Sequence, residues 1–445
     1  MFRNRLIDLQ HWSQDLQRKP LIIRGARQVG KSTLVSLFAK QQEFDLLLLN
    51  FERNPEYAEF FVSNDPIKII QLLELGLNRD IIIGKTLLFL DEIQATPKVL
   101  AVLRYFYEEL PKLHIIVAGS LLDFALYFPT YSMPVGRISY MYLQPMGFVE
   151  FLLAIKKNKL ADYLKNWRLG VEIPNALHQS LMSAFKEFMI VGGMPEAVKT
   201  YAKTASLKQT ELVKQDLLAT FQDDFSKYTQ SNNTILLRKI FSTIPTIVGN
   251  KIKYSSLSKD HRATEVAKMI DLLVSARIAS KVVHSSANGV PLAAEAKHKF
   301  YKLIFLDVGL ISSVLNLDYQ AFINTDIMMV NAGMLAEQWV GQALVTSQDY
   351  YKSPELHYWI REKKSSSAEI DYVIACSKYI VPIEVKAGKT GSLKSLHLFM
   401  QEKKPQFAIR LNTQPPNILN KPNIISLPLY LAEQIWCLCL DEVVV

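Results

Sequence analysis

With 445 residues, 49% of them hydrophobic and 21% charged, the chain has the length for roughly three domains of about 150 residues and the composition of a globular protein. Its 17 Gly and 19 Pro exclude a fibrous or Pro/Gly-rich disordered chain, and three cysteines, Cys376, Cys437 and Cys439, are too few for a disulfide framework or a zinc set. No stretch longer than 13 residues lacks Asp, Glu, Lys and Arg, whereas a spanning helix needs about 20 mostly apolar residues, and Arg3, Arg5, Asp8 and Asp15 interrupt any secretory leader. The expected location is the cytoplasm, with no membrane partner.

The first element in chain order is a short apolar strand, Leu21-Ile22-Ile23. It runs into Gly25-Ala26-Arg27-Gln28-Val29-Gly30-Lys31-Ser32, and Leu34, Val35, Leu37 and Phe38 then recur at helical spacing. Strand, glycine-rich loop and helix in this order satisfy G-x-x-x-x-G-K-[ST]. The glycines let backbone N–H groups turn inward around phosphate, and the helix N-terminus adds positive potential. Gly25, Ala26, Arg27, Gln28, Val29, Gly30, Lys31 and Ser32 are therefore the expected phosphate-binding segment. Lys31 is expected on the β- and γ-phosphates and Ser32 on Mg²⁺.

A metal-bound nucleotide needs an acid from a second strand, and Thr86-Leu87-Leu88-Phe89-Leu90-Asp91-Glu92 is an apolar run ending in two carboxylates. Asp91 is expected in the Mg²⁺ shell and Glu92 as the group that polarises the attacking water. Further strands are expected at Leu46–Asn50, His114–Ala118 and Ile138–Leu143, making five mostly parallel strands with helices on both faces. Ser120, just past the fourth strand, is placed to sense the γ-phosphate or to cap the helix that follows. Arg137 is a candidate phosphate contact, in cis or from a neighbouring subunit.

From Pro145 helical periodicity takes over. Phe148, Phe151, Leu152 and Ile155 share one face, as do Leu181, Phe185, Phe188 and Met189, and Gly192-Gly193-Met194-Pro195 forms a turn with no chemistry of its own. Residues 251–302 then hold 10 Lys and Arg against 4 Asp and Glu, while residues 1–145 are nearly balanced at 16 against 15. Helices around Tyr254 and Val266–Leu273 precede strands at Ile278–Val283 and Phe300–Phe305, the outline of a winged helix. Lys259, Arg262, Lys268, Lys297, Lys299 and Lys302 make DNA an expected partner of this stretch, with a protein partner or a plain solvated surface as the other readings.

Near the C-terminus, Ala368–Ala375 and Ile380–Lys386 both alternate like strands and are joined by a turn short enough for a hairpin. A turn centred between Ser377 and Lys378 sets Asp371 opposite Glu384 and gathers Glu369, Asp371, Glu384 and Lys386 on one face. Carboxylates directly opposite one another repel, so something must offset them. A divalent metal held by Asp371 and Glu384 would do so, with Lys386 steadying the developing charge and Glu337 supplied from an upstream amphipathic helix. The other reading is a surface hairpin whose charges pair with one another.

Glu, then Asp, then Glu-x-Lys resembles the metal site of the PD-(D/E)XK nuclease-like fold. The ordered set Arg24–Ser32, Leu90–Gln94, Ala118–Leu121, Gly192–Pro195, Phe305–Leu310 and Pro382–Ala387 resembles a large prokaryotic family of AAA-type (AAA+ superfamily) ATP-binding proteins. In that family the ATPase domain precedes a C-terminal domain of unknown function. The resemblance implies ATP and Mg²⁺ at Gly25–Thr33, Asp91 and Glu92, and a nuclease-like tail. The expected class is α/β: a P-loop NTPase core over 1–145, a helical lid over 146–245, a winged helix over 246–320 and a small nuclease-like α/β domain over 321–445. The expected function is Mg²⁺-dependent ATP hydrolysis coupled to DNA binding or processing. The alternative is an ATP-gated protein-interaction switch without nuclease activity.

Overall fold

The computed structural model describes residues 2–119, 133–227, 229, 231–317, 332–361, 368–388, 392–420 and 423–438. The chain divides into two compact units, one of Phe2–Gln144 with Asp349–Ser353, the other of Pro145–Gln348 with Pro354–Val445.

The first unit is built on β1 (Leu21–Arg24), β2 (Asp45–Asn50), β3 (Thr86–Asp91), β4 (His114–Ala118) and β5 (Ser139–Tyr142). They pair in the order β2-β3-β4-β1-β5, and every pairing is parallel. A parallel sheet is covered on both faces, which is why β3 and β4 read as unbroken apolar runs and are buried throughout. Leu88 and Leu90 belong to a cluster with Ile69 and Leu73 of helix Pro66–Leu77 and with Val99, Leu103 and Phe106 of helix Val99–Glu109. Leu87 and Phe89 point away from that cluster, on the face where helix Lys31–Gln41 buries Leu34, Val35 and Phe38. Asp65 starts Pro66–Leu77 by accepting from the backbone N–H groups of Ile67 and Lys68 at 3.0 and 3.2 Å, and Pro66 loses no bond there.

The second unit opens with helices Phe148–Ala154, Asn175–Val191, Pro195–Thr204 and Leu207–Asp223. The expected apolar faces meet: Phe148 packs edge-on against Phe185 and tilted against Phe188, and Trp339 closes on Phe188 at 4.9 Å between ring centroids. Glu433 caps the first of these helices, its carboxylate accepting from Phe148 N and Val149 N at 2.9 and 3.2 Å. Burial pushes that carboxyl up to about 7, against the pull of those two bonds.

The Gly192-Gly193 turn is architecture of a specific kind. Gly192 has φ +76, and a Cβ on it would strike the carboxylate of Asp307, while one on Gly193 would strike the carbonyl of Met146. Asp307 is wholly buried and accepts from Gly193 N at 2.7 Å, Gly309 N at 3.0 Å, Leu310 N at 3.3 Å and Gln342 Nε2 at 2.9 Å. It thereby caps helix Val308–Val314 and ties it to the turn. Lys214 is buried alongside, donating to the carbonyls of Ile190 and Gly309 and to Ser312 Oγ.

Helices Ser231–Ile247, Tyr254–Leu257 and Ala263–Ser275 are followed by β6 (Ala279–Ser285) and β7 (Ala296–Phe305), an antiparallel hairpin where a wing is expected. The hairpin is not free-standing. β6 also pairs in parallel with β8 (Leu356–Ile360), so β6 and β7 form one end of an eight-stranded sheet. That sheet continues through β9 (Glu369–Cys376), β10 (Tyr379–Val385), β11 (Ala408–Asn412), β13 (Asn423–Pro428) and β12 (Asn417–Asn420). Helix Lys394–Lys403 buries Leu396 and Phe399 against Trp359, Ile370 and Val373, and helix Ala332–Thr346 touches β7, β8 and β10. Among the described residues no helix is long and apolar enough to cross a membrane. Cys376 is buried and Cys437 exposed, and Cys439 lies outside the described residues.

Candidate nucleotide site and carboxylate cluster

In the first unit the glycine-rich loop leaves β1 at its C-terminal end. Gly25 passes so close to the carbonyl of Leu143 that no Cβ fits, and Gly30 and Gln28 turn the loop with φ +92 and +66. Lys31 is buried at 7% exposure, and its ammonium donates back to the carbonyls of Gly25 and Ala26 at 3.0 and 2.9 Å. Ala26 and Val29 are buried beneath the loop, Arg27 is half-buried, and Gln28 and Thr33 are exposed. Arg3, which the sequence reading did not single out, braces the loop from outside, donating to Val29 O at 2.9 Å and Gln144 O at 2.6 Å.

Ser32 Oγ donates to Asp91 Oδ2 at 2.8 Å, bringing the loop hydroxyl and the β3 acid together. Burial and the charge of Glu92 raise the Asp91 carboxyl, while the Ser32 bond and Lys31 hold it down. Glu92 stands in the left-handed region at φ +53 with its own N–H on Asp91 Oδ1, and its Oε2 accepts from Gln94 Nε2 at 2.5 Å. A hydroxyl and a carboxylate oxygen in contact suit Mg²⁺, which takes few protein ligands and keeps waters and phosphate oxygens for the rest. Ser120 lies outside the described residues.

Arg137 is not brought to this site. In the parallel sheet Arg24, which leads into the loop, pairs with Tyr142, whereas Leu21 pairs with Ser139, so Arg137 precedes β5 at the other end of the sheet. Five residues of extended chain, roughly 16 Å, separate it from the level of the loop, and Arg137 there donates to Glu108 Oε1 at 3.0 Å.

In the second unit the β9/β10 register is the expected one: Tyr379 pairs with Cys376, and the ladder continues to Ile383 opposite Tyr372. Ser377, at φ +53, turns the hairpin. Asp371 Oδ2 accepts from Val385 N at 2.8 Å, Lys386 Nζ donates to Glu384 Oε1 at 2.5 Å, and the buried Glu384 Oε2 has no hydrogen-bond partner among the described residues. Glu337, on helix Ala332–Thr346, joins the same cluster.

The surprise is a lysine. Lys302, counted above among residues for DNA, is 3% exposed and points into this cluster, with Nζ 2.5 Å from Glu369 Oε1 and 3.6 Å from Glu337 Oε2. Lys251 also reaches Glu369, at 3.1 Å, and Lys281 pairs with Asp271, whereas Lys259, Arg262, Lys268, Lys297 and Lys299 are exposed. Burial first, then the Asp371 charge, pushes Glu337 and Glu384 each up to about 7, and burial raises Asp371. Burial would also raise Glu369, but Lys302 and Lys251 outweigh it and hold that carboxyl below its ordinary value. For Lys302 the three surrounding acids overcome burial and raise the ammonium. Among the described residues no group of three or more His, Cys, Asp or Glu is arranged to hold a metal ion. A cleft of about 450 Å³ adjoins the cluster, lined by Gly249, Asn250, Lys251, Lys253, Ser256 and Glu369.

Residues 17–152 match an AAA domain, residues 182–321 a domain of unknown function (DUF8612) and residues 332–430 another (DUF4143). No curated protein matches the chain. Among solved structures, the ORC2 protein of Aeropyrum pernix is 12% identical over 73% of this chain and 96% of its own, with a TM-score of 0.34. The Holliday junction branch migration motor RuvB of Thermotoga maritima is 15% identical over 63% and 90%, at 0.29, and Drosophila ORC bound to DNA is 11% identical over 71% and 85%, at 0.25. The first unit, an α/β fold on a five-stranded parallel sheet, thus lies where the chain matches an AAA domain, and the mixed sheet of the second unit lies where it matches families of unknown function.

Proposed function

We propose that the first unit binds and hydrolyses MgATP and that the second unit uses this turnover to bind or process DNA. The observation that carries the first half is the contact of Ser32 with Asp91 beside a buried Lys31, at the C-terminal edge of a parallel sheet. The loop N–H groups would cradle the phosphates, with Lys31 swinging from the Gly25 and Ala26 carbonyls onto the β- and γ-phosphates. Ser32 and Asp91 would hold Mg²⁺, which neutralises phosphate charge. Glu92 would then orient and polarise the attacking water.

For the second half, the cleft walled by Lys251 and Lys253 would take a phosphodiester strand and lead it to Asp371, Glu384 and Lys386. The unpartnered Glu384 oxygen and the neighbouring Asp371 suit a divalent ion that keeps most of its waters. Such an ion would polarise a phosphoryl oxygen or a bound water there. The divisions near residues 145 and 245 belong to this proposal, whereas β6 and β7 share one sheet with the strands that follow residue 320. Asp371→Asn and Lys386→Ala are each expected to abolish Mg²⁺-dependent nicking of plasmid DNA while phosphate release from ATP stays within about twofold of wild type. Equal nicking by the variants contradicts the nuclease reading.

One observation favours the second reading, an ATP-gated interaction switch without nuclease activity. Lys302 and Lys386 already offset the repulsion among the carboxylates, so no metal is required to hold them together. Under that reading the cluster is a structural ion network, and purified protein leaves plasmid uncut at every Mg²⁺ concentration.

A further inference from the structure

We infer that Lys302, the buried lysine between Glu337 and Glu369, fills one of two cation positions in the carboxylate cluster, with the more exposed Lys251 and Lys386 at its edges. The cluster then takes one hydrated divalent ion, on Asp371 and Glu384, and admits a second only when Lys302 is removed. The inference rests on the metal-dependent reading proposed above.

The lysine is delivered by β7, where Lys302 pairs in register with Val282, and its side chain is almost entirely out of water. A buried ammonium is expensive unless it is paired. Here it is held by Glu369 at 2.5 Å and Glu337 at 3.6 Å, and it lies 5.3 Å from the centroid of the buried Tyr358 ring. Gly249, at φ +79, brings backbone against Glu337 from another side, so close that a Cβ would sit 2.6 Å from Glu337 Oε2. The Glu337 and Glu369 side of the cluster is thus already supplied with positive charge and hemmed in.

The other side is different. Glu384 gives one oxygen to Lys386 and keeps a second, buried oxygen with no hydrogen-bond partner among the described residues, and Asp371 lies next to it with one oxygen on Val385 N. An unpaired carboxylate oxygen out of water is costly and marks where a cation is missing. Mg²⁺ or Mn²⁺, binding through one or two carboxylates with water completing its shell, suits that position. A compact ammonium point charge can do the electrostatic work of a second ion without exchanging with solvent.

The test counts Mn²⁺ bound to the nucleotide-free full chain, from the electron paramagnetic resonance signal of the free ion. Ions lost in the Asp371→Asn/Glu384→Gln double variant are those of the cluster. Wild type and Lys302→Arg are expected to hold one such ion and Lys302→Met two. Two ions in wild type or in Lys302→Arg, or a single ion in a folded Lys302→Met, overturn the inference while leaving the metal-dependent reading intact. No cluster ion in wild type overturns that reading and this inference together. The wild-type and arginine counts decide the matter even where the methionine variant does not fold.

Discussion

A Glu92→Gln protein is expected to hold MgATP as tightly as wild type and to turn it over about 100-fold more slowly or worse. The amide keeps the shape of the side chain and a partner for Gln94, which sits 2.5 Å from Glu92 Oε2, but it has no charge with which to polarise water. In the proposed site, binding falls instead to the loop, to Lys31 and to the Ser32–Asp91 pair, which the substitution leaves in place. Losing one group that acts on developing charge in the transition state typically costs 10²–10³ in rate, roughly 3–4 kcal/mol. Nucleotide affinity from fluorescent ATP titration and single-turnover hydrolysis separate the two quantities. A turnover within tenfold of wild type would remove Glu92 from the reaction and leave water activation to another residue.

The largest effect on stability is expected at Asp307. Alanine there strips the acceptor from Gly193 N, Gly309 N, Leu310 N and Gln342 Nε2, all buried, and leaves the nearby Lys214 ammonium with less compensation. Each orphaned donor costs about 1–3 kcal/mol before relaxation, and breaking a buried charged network costs about 3–5 kcal/mol in all. Urea unfolding followed by tryptophan fluorescence should show the transition of the second unit moving by that amount, since Trp339 is at its core. A loss below about 1 kcal/mol would mean that the turn and helix Val308–Val314 hold together without the carboxylate.

Legibility in the sequence followed the range of the interaction. The phosphate loop, the acids ending β3 and the β9/β10 register are local patterns. A short turn and period-two alternation were enough to place Asp371 opposite Glu384, and the ladder from Cys376–Tyr379 to Tyr372–Ile383 has that register. The hairpin β6/β7 was legible for the same reason. Its parallel partner β8 was not, because Val282 and Leu356 are far apart in the chain and nothing in either strand names the other.

The same distance hid the role of Lys302. Read along the chain it is one basic residue among ten in residues 251–302, and only the folded sheet turns it away from solvent and toward Glu369 and Glu337. The repulsion between facing carboxylates was a correct physical signal that positive charge must be nearby, and the structure supplies lysine on two sides of the cluster. Likewise Gly192-Gly193 read as a turn without chemistry, and the need for glycine comes at Gly192 from Asp307, over a hundred residues onward, and at Gly193 from the carbonyl of Met146. Arg137 went the other way for contact within the chain: an arginine after a glycine turn looked available for phosphate in cis or from a neighbouring subunit, and strand polarity puts it at the far end of its own sheet.

The most direct measurement is Mg²⁺-dependent phosphate release from ATP by the full chain, beside Lys31→Ala, with and without double-stranded DNA at low and high salt. The account predicts release that the Lys31 substitution abolishes and that DNA stimulates at low salt only, because phosphate-backbone contacts weaken steeply as salt rises. Release that survives Lys31→Ala would contradict the assignment of the nucleotide site. Release indifferent to DNA at every salt concentration would contradict the coupling of the two units.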